Sequence, residues 1–270
     1  MPTAYCLCLL PTAVCLCLLP SAYCLLLRYT SPVAATSQTC FTPRALTFLR
    51  GLKRNNDRAW FAEHRDEYER EVRGPMVALV ERLAIDLRRF APDLVASPRV
   101  SLYRIYRDTR FSENKSPFKT QVGASFPQRD LPKHQGAGLY LEFGPARTMI
   151  AGGIYMPQSS DLRALREHLA GNHARFRTLV ESPAFKRAAG PVTGDSLIRV
   201  PRGFPPDHPA AEYLKLRQFL FGRDYPAAFA TDPKFYREVV TLFERMAPVI
   251  HFLNEPLLAQ ASRRDPLQQL

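Results

Sequence analysis

Apolar residues first recur along the chain at helical spacing. After Thr42-Pro43, an N-cap followed by proline at the first helical position, Leu46, Leu49 and Leu52 share one side of a helix that Asn55-Asn56-Asp57 ends. A second helix from Arg58 carries Trp60, Phe61, His64, Arg65 and Tyr68. Beyond Gly74-Pro75, a third sets Val77, Leu79, Val80, Leu83, Ile85 and Leu87 mostly along one side.

At Pro98 the rhythm changes to a period of two. Val100, Leu102, Arg104 and Tyr106 alternate with Ser101, Tyr103, Ile105 and Arg107, which predicts a strand over Val100–Asp108. Short strands are expected at Val122–Phe126, Gly138–Phe143 and Met149–Met156, where β-branched and aromatic residues are flanked by Gly and Pro. Gly152-Gly153 inside the last predicts a bulge or a close backbone approach.

Helical spacing then returns. Ser159-Ser160-Asp161 is expected to cap a helix with Leu162, Leu165 and Leu169, and a shorter one carries Phe176, Leu179 and Val180. Gly190 to Pro206 reads as a connection, and Asp232-Pro233 opens a final helix with a stripe of Phe235, Val239, Leu242, Phe243 and Met246. The order predicts an α+β fold: a helical N-terminal third, a central mostly antiparallel sheet and C-terminal helices. We place a single domain at residues 41–255, followed by a solvated tail at 256–270.

Residues 1–40 follow a different pattern. Pro2, Pro11 and Pro20 each begin a near-identical unit rich in Ala, Cys and Leu, a repeat with neither a helix period nor a core pattern. A membrane span is interrupted by Pro11 and Pro20, and a signal peptide lacks its basic start, although Val33-Ala34-Ala35 resembles a cleavage site. The third reading is an in-frame translated tandem repeat upstream of the true start. A membrane partner enters only if this segment is a genuine part of the native protein.

Composition adds a compartment and a charge. The chain of 270 residues is 46% hydrophobic and 23% charged, as globular proteins are. Five of its 6 cysteines lie in the first 24 residues, so the body carries only Cys40 and no disulfide framework. That usage points to a reducing compartment, the cytoplasm. A net charge of +12 favours acidic partners: phosphates, nucleic acids or anionic surfaces.

Much of that charge is local. Arg99, Arg104, Arg107, Arg110, Lys115, Lys119, Arg129 and Lys133 stand against only Asp108, Glu113 and Asp130. On an extended segment Arg104, Tyr106, Asp108 and Arg110 share one face, and Arg107 shares the other with Tyr103 and Ile105. Guanidinium groups grip phosphate or carboxylate through paired planar hydrogen bonds, and Asp108 can orient them or serve as a base. Ser112, Asn114 and Ser116 add small donors beside Lys115 and Lys119. The competing reading is a solvated face, or pairing with the acidic helix near Glu67–Glu71.

These residues also carry a resemblance. Asn55-Asn-Asp-Arg-Ala-Trp-Phe61, Arg65, Tyr68, Arg104-Ile-Tyr-Arg-Asp-Thr-Arg-Phe-Ser112 and Lys115-Ser-Pro-Phe-Lys119 resemble the family known as domain of unknown function 2461. Gly136-Ala-Gly-Leu-Tyr140, Gly152-Gly-Ile-Tyr-Met-Pro157, Leu165-Arg166 and Pro201-Arg-Gly-Phe204 extend the resemblance over roughly residues 41–253. It implies that the residues before about Phe41 lie outside the shared domain, and it names no activity, cofactor or partner.

Other chemistry is thin. His64, His134, His168, His173, His208 and His251 form no metal-ligand spacing, and His208 fits a helix cap. Ser112, Ser116 and Ser196 sit in no nucleophile elbow, and Trp60, Phe61 and Tyr68 read as core. No metal or cofactor is expected. The first expectation is a small-molecule anion binder or enzyme using Arg104, Arg107, Arg110, Ser112, Lys115 and Lys119, with Asp108 as orienter or base. Nucleic-acid binding is the alternative, and a purely structural salt-bridge network the third reading.

Overall fold

Thr42 is extended and Pro43 follows it into α1 (Pro43–Arg54), which buries Ala45, Leu46, Phe48, Leu49 and Leu52. The Thr42 hydroxyl donates to Glu71 at 2.9 Å instead of capping the helix. Asp57 does cap α2 (Arg58–Glu63), accepting from the Trp60 N–H at 2.9 Å. The structure is a computed structural model that describes residues 40–264; the N-terminal repeat and the end of the tail lie outside the described residues.

Gly74-Pro75 does not separate two helices. A helical turn, Arg65–Glu67, runs into a π-helical segment, Tyr68–Arg73, and directly on into α3 (Gly74–Phe90). Proline has no N–H to donate and its ring crowds the carbonyl four residues back, so an α-helix would break or kink there. The wider π-turn just before Pro75 lets the rod continue, with the Gly74 N–H on the Glu69 carbonyl. A Cβ at Gly74 would stand 2.9 Å from that same oxygen.

The strand expected over Val100–Asp108 does not form. Ser97 accepts from the Val100 N–H and, with Pro98 at the first helical position, starts a short helical turn, Pro98–Ser101. From Leu102 the chain meets its neighbours through isolated bridges, Leu102 to Ala124 and Tyr106 to Phe118. The alternation itself survives: Ile105 is buried, whereas Arg104, Tyr106, Asp108 and Arg110 are exposed.

The sheet is an antiparallel meander in the order β1 (Val122–Phe126), β2 (Gly138–Phe143), β3 (Arg147–Ile154) and β4 (Phe219–Pro226). The first two have the expected bounds, the third is displaced by two residues, and the fourth went unpredicted. Gly222, the Arg223-Asp224 pair and Pro226 hide β4 in the sequence, because they break the apolar alternation of an edge strand. Gly152-Gly153 marks a close approach rather than a bulge, since β3 and β4 stay in register through it. Gly153 has φ +130°, and a Cβ there would lie 1.9 Å from the Phe219 carbonyl oxygen.

One sheet face is apolar. Ala124, Phe126, Leu139, Leu141, Phe143, Ile150, Phe219 and Phe221 are buried on it. It packs against the last helix, which also collects α3 and three shorter helices, α4 (Ser159–Gly171), α5 (His173–Glu181) and α6 (Pro183–Ala189). That last helix, α7, is Phe235–Arg264 and passes through Pro248 and Pro256. The boundary expected at 255 therefore falls inside a helix, and Leu257 belongs to the core.

Asp161 does not cap α4. Gln158 is the cap residue, and Asp161 turns fully inward to accept from Gln135 Nε2 at 3.1 Å. His208 does serve the turn before Tyr213, its Nδ1 accepting from the Ala210 N–H at 3.0 Å. Among the described residues, no helix is long and apolar enough to cross a membrane.

Candidate functional site

The second face of the sheet mixes polar and aromatic side chains with glycine and alanine. Register places Gly123, Glu142, Met149 and Asp224 in one row, and Ser125, Tyr140, Ala151 and Gly222 in the next. Gly138, Gly153 and Leu220 form a third row. The result is a cavity of about 900 Å³ floored by backbone and by Gly123, Ala151, Gly153 and Gly222, with Tyr155 and Met156 at its rim.

Its β1 end is cationic and aromatic. Tyr103, held by its N–H on the Gly123 carbonyl, sets its ring edge-on to Tyr140 with centroids 6.2 Å apart. Lys119 Nζ lies 5.1 Å and Lys133 Nζ 5.2 Å from the centre of the Tyr103 ring. Lys133 also donates to the Val100 carbonyl, whereas the Lys119 ammonium has no hydrogen bond or ion pair among the described residues. Burial lowers the pKa of both lysines, and for Lys119 the neighbouring Arg104 and Lys133 charges lower it further.

Polar groups face the same cavity. Tyr140 donates to Glu142 Oε2 at 2.8 Å, and burial followed by that carboxylate pushes its phenol far above the ordinary range. The Ser125 hydroxyl, on the residue paired in register with Tyr140, is buried without a hydrogen-bond partner among the described residues. A buried hydroxyl left unpaired is costly, and a ligand group is one way to satisfy it.

The segment read from the sequence is divided by the structure. Arg107, Asp108 and Lys119 line a second, more open cleft of about 700 Å³ together with Lys53, Asn114 and Ser116. Lys119 and Gln121 border both cavities. Arg104, Arg110, Ser112 and Lys115 do not line this cleft. Arg110 forms a two-pronged ion pair with Asp108 at 2.7 and 3.0 Å, and Lys115 donates to the Thr109 carbonyl at 3.1 Å. Ser112 receives only a long 3.5 Å contact from Arg107.

Asp108 is exposed, and the Arg110 hydrogen bonds hold its carboxyl down at about 2. Such a carboxylate suits an orienting role better than that of a base, whose pKa should lie near the working pH. The acidic helix does not consume the segment's cations: Glu69 pairs with Arg73, and Glu71 with Arg70. The only ion pair of the segment Arg104 to Lys119 among the described residues is Arg110 with Asp108.

Aromatic packing anchors the segment. Phe118 stacks on Phe61 with centroids 4.2 Å apart, and Tyr106 packs on Phe118 at 5.3 Å. Phe61 and Tyr68 are buried in the core, and Trp60 stacks on His64 at 4.0 Å. Among the described residues no group of three or more His, Cys, Asp or Glu could hold a metal ion.

Sequence reasoning missed Tyr103, Ser125, Lys133, Tyr140 and Glu142 as site residues. The available signal was the off-core set of the strands: Gly138, Tyr140 and Glu142 alternating with Leu139, Leu141 and Phe143 is a polar face with small and aromatic residues.

Compared with known sequences, residues 44–252 match the model of a family described as conserved hypothetical protein, DUF2461. No curated protein and no solved structure matches the chain.

Proposed function

The chain belongs to the conserved hypothetical family DUF2461, and from its site we propose that it binds a small molecule with a flat, largely apolar body and a phosphate or carboxylate group. The observation that carries this reading is the pair of ammonium groups, Lys119 and Lys133, flanking Tyr103 at one end of a cavity floored by glycine and alanine. Lysines with depressed pKa values and no carboxylate partner gain most from an arriving anion, because it restores the charge compensation that burial removed. The side-chain-poor floor lets a ring approach the backbone, as apolar pockets with few polar groups do for small ligands.

Ser125, Tyr140 and Glu142 are placed to fix the orientation of that body through hydrogen bonds. Arg104, whose charge acts on Lys119, adds long-range attraction without lining the cavity itself. Asp108 with Arg110 holds the loop beyond the site.

Calorimetric titration of a panel of phosphate- and carboxylate-bearing ring compounds tests the proposal. Binding by the wild type, lost in both Lys119→Gln and Lys133→Gln without a lower melting temperature, is the expected result. Binding that survives both substitutions, or salt-steep binding to polynucleotides in place of small molecules, would sink it.

A further inference from the structure

We infer that the cleft on the far side of Lys119 is a second anion subsite continuous with the sheet cavity, so that the ligand carries two anionic groups. This inference rests on the small-molecule reading above and deepens it. The continuity is structural: Lys119 and Gln121 border both concavities, so a molecule seated over the sheet reaches the cleft past these two side chains.

The cleft has cationic capacity that the protein itself leaves unused. Arg107 is half-buried and spends its guanidinium on a single 3.5 Å contact to Ser112, at the limit of a hydrogen bond. Lys53, in the last turn of α1, makes no ion pair among the described residues. The carboxylate lining the cleft, Asp108, is already neutralised by Arg110 in a two-pronged pair. Among the described residues, three cations, Lys53, Arg107 and Lys119, therefore line one concavity with no carboxylate left to balance them.

The walls are rigid where it matters. Asn56 clamps the backbone of Phe118 next to Lys119, and Phe118 is stacked on Phe61, so Lys119 projects from a fixed point between the two cavities. Planar guanidinium donors suit an oxyanion that accepts paired hydrogen bonds, and Ser116 and Asn114 add small donors on the loop side. A ligand with a single charge satisfies Lys133 and Lys119 and leaves Arg107 and Lys53 uncompensated. A second phosphate or carboxylate, extending from the same ligand, fills that position.

The experiment compares an aromatic monophosphonate with the bisphosphonate of the same ring system, charged at both ends, in calorimetric titrations of the full-length protein. The bisphosphonate is expected to bind about a hundred-fold more tightly, because its second contact becomes intramolecular. Arg107→Gln and, separately, Lys53→Gln should erase most of that advantage and leave monophosphonate affinity unchanged. Lys133→Gln should weaken both probes. Equal affinity of the two probes for the wild type, or an Arg107→Gln loss that falls equally on the monophosphonate, would overturn the second subsite while leaving the first in place. Failure of both probes to bind would overturn both readings.

Discussion

Asn56 pairs with the backbone of Phe118 as a neighbouring strand would: its Nδ2 donates to the Phe118 carbonyl at 3.1 Å and its Oδ1 accepts the Phe118 N–H at 3.0 Å. One amide side chain in the turn between α1 and α2 thus fixes a backbone 62 residues away and, with it, the base of Lys119. Asn56→Ala would strand both backbone groups at a cost of about 1–3 kcal/mol. Urea unfolding should show that loss, and anion binding should weaken beyond what the lost stability explains. Unchanged stability would mean that Phe118 is held by its ring alone.

A second amide does comparable work deeper in the core. Asn254, on α7, accepts the Ala137 N–H at 2.8 Å and donates to the Ala137 carbonyl at 3.0 Å, with no more than 1% of its surface exposed. This clamp ties the loop that carries Lys133 to the central helix. Asn254→Leu should destabilise the fold by about 2–5 kcal/mol, since two buried backbone groups lose their partner. Hydrogen exchange at the Ala137 amide is the direct readout, and protection equal to the wild type would refute the clamp.

Gly153 and Gly171 make opposite predictions for the same change. At Gly153 an added Cβ meets the Phe219 carbonyl at 1.9 Å on a φ of +130°, so Gly153→Ala should separate β3 from β4 at a cost of several kcal/mol, about 3 or more. At Gly171, the last residue of α4, nothing lies within 4 Å of an added Cβ. Gly171→Ala should be neutral or stabilising by up to about 1 kcal/mol. Thermal melting of the two variants side by side checks both.

The lysines give the pH dependence a definite sign. Burial sets the folded-state pKa of Lys119 and Lys133 below the ordinary 10.5, so their charged form opposes folding at every pH below the folded value. The penalty fades as pH rises from the folded pKa to 10.5 and is absent above it. Lys119→Met should therefore raise the urea midpoint at neutral pH and lose that advantage above 10.5. An anion that needs both ammonium groups should begin to dissociate below pH 10.5, as the depressed pKa values are crossed. A neutral-pH midpoint below that of the wild type would show that Lys119 is paired after all.

What the sequence determined by itself was local. Thr42-Pro43 marks a helix start because proline at the first helical position presets φ within one turn, even though the Thr42 hydroxyl goes to Glu71, and β1 and β2 are legible from alternation and the glycines and prolines around them. The basic character of Arg104 to Lys119, and its exposed and buried sides, were also legible, because alternation survives even where no regular strand forms. Tertiary structure decided the rest. Ser97-Pro98 turned an expected strand into a helical start, the π-turn carried a rod through Pro75, and β4 paired where Gly222 and Arg223-Asp224 concealed it. The site itself depends on contacts invisible along the chain: Lys133 and Lys119 meet over Tyr103 because Val100, Gly123 and Ile105 supply carbonyl partners to Lys133 Nζ and to the Tyr103 and Lys119 N–H groups. Local propensity has no access to such pairings, since they are fixed only when the sheet's packed face commits to α7 and leaves the other face open.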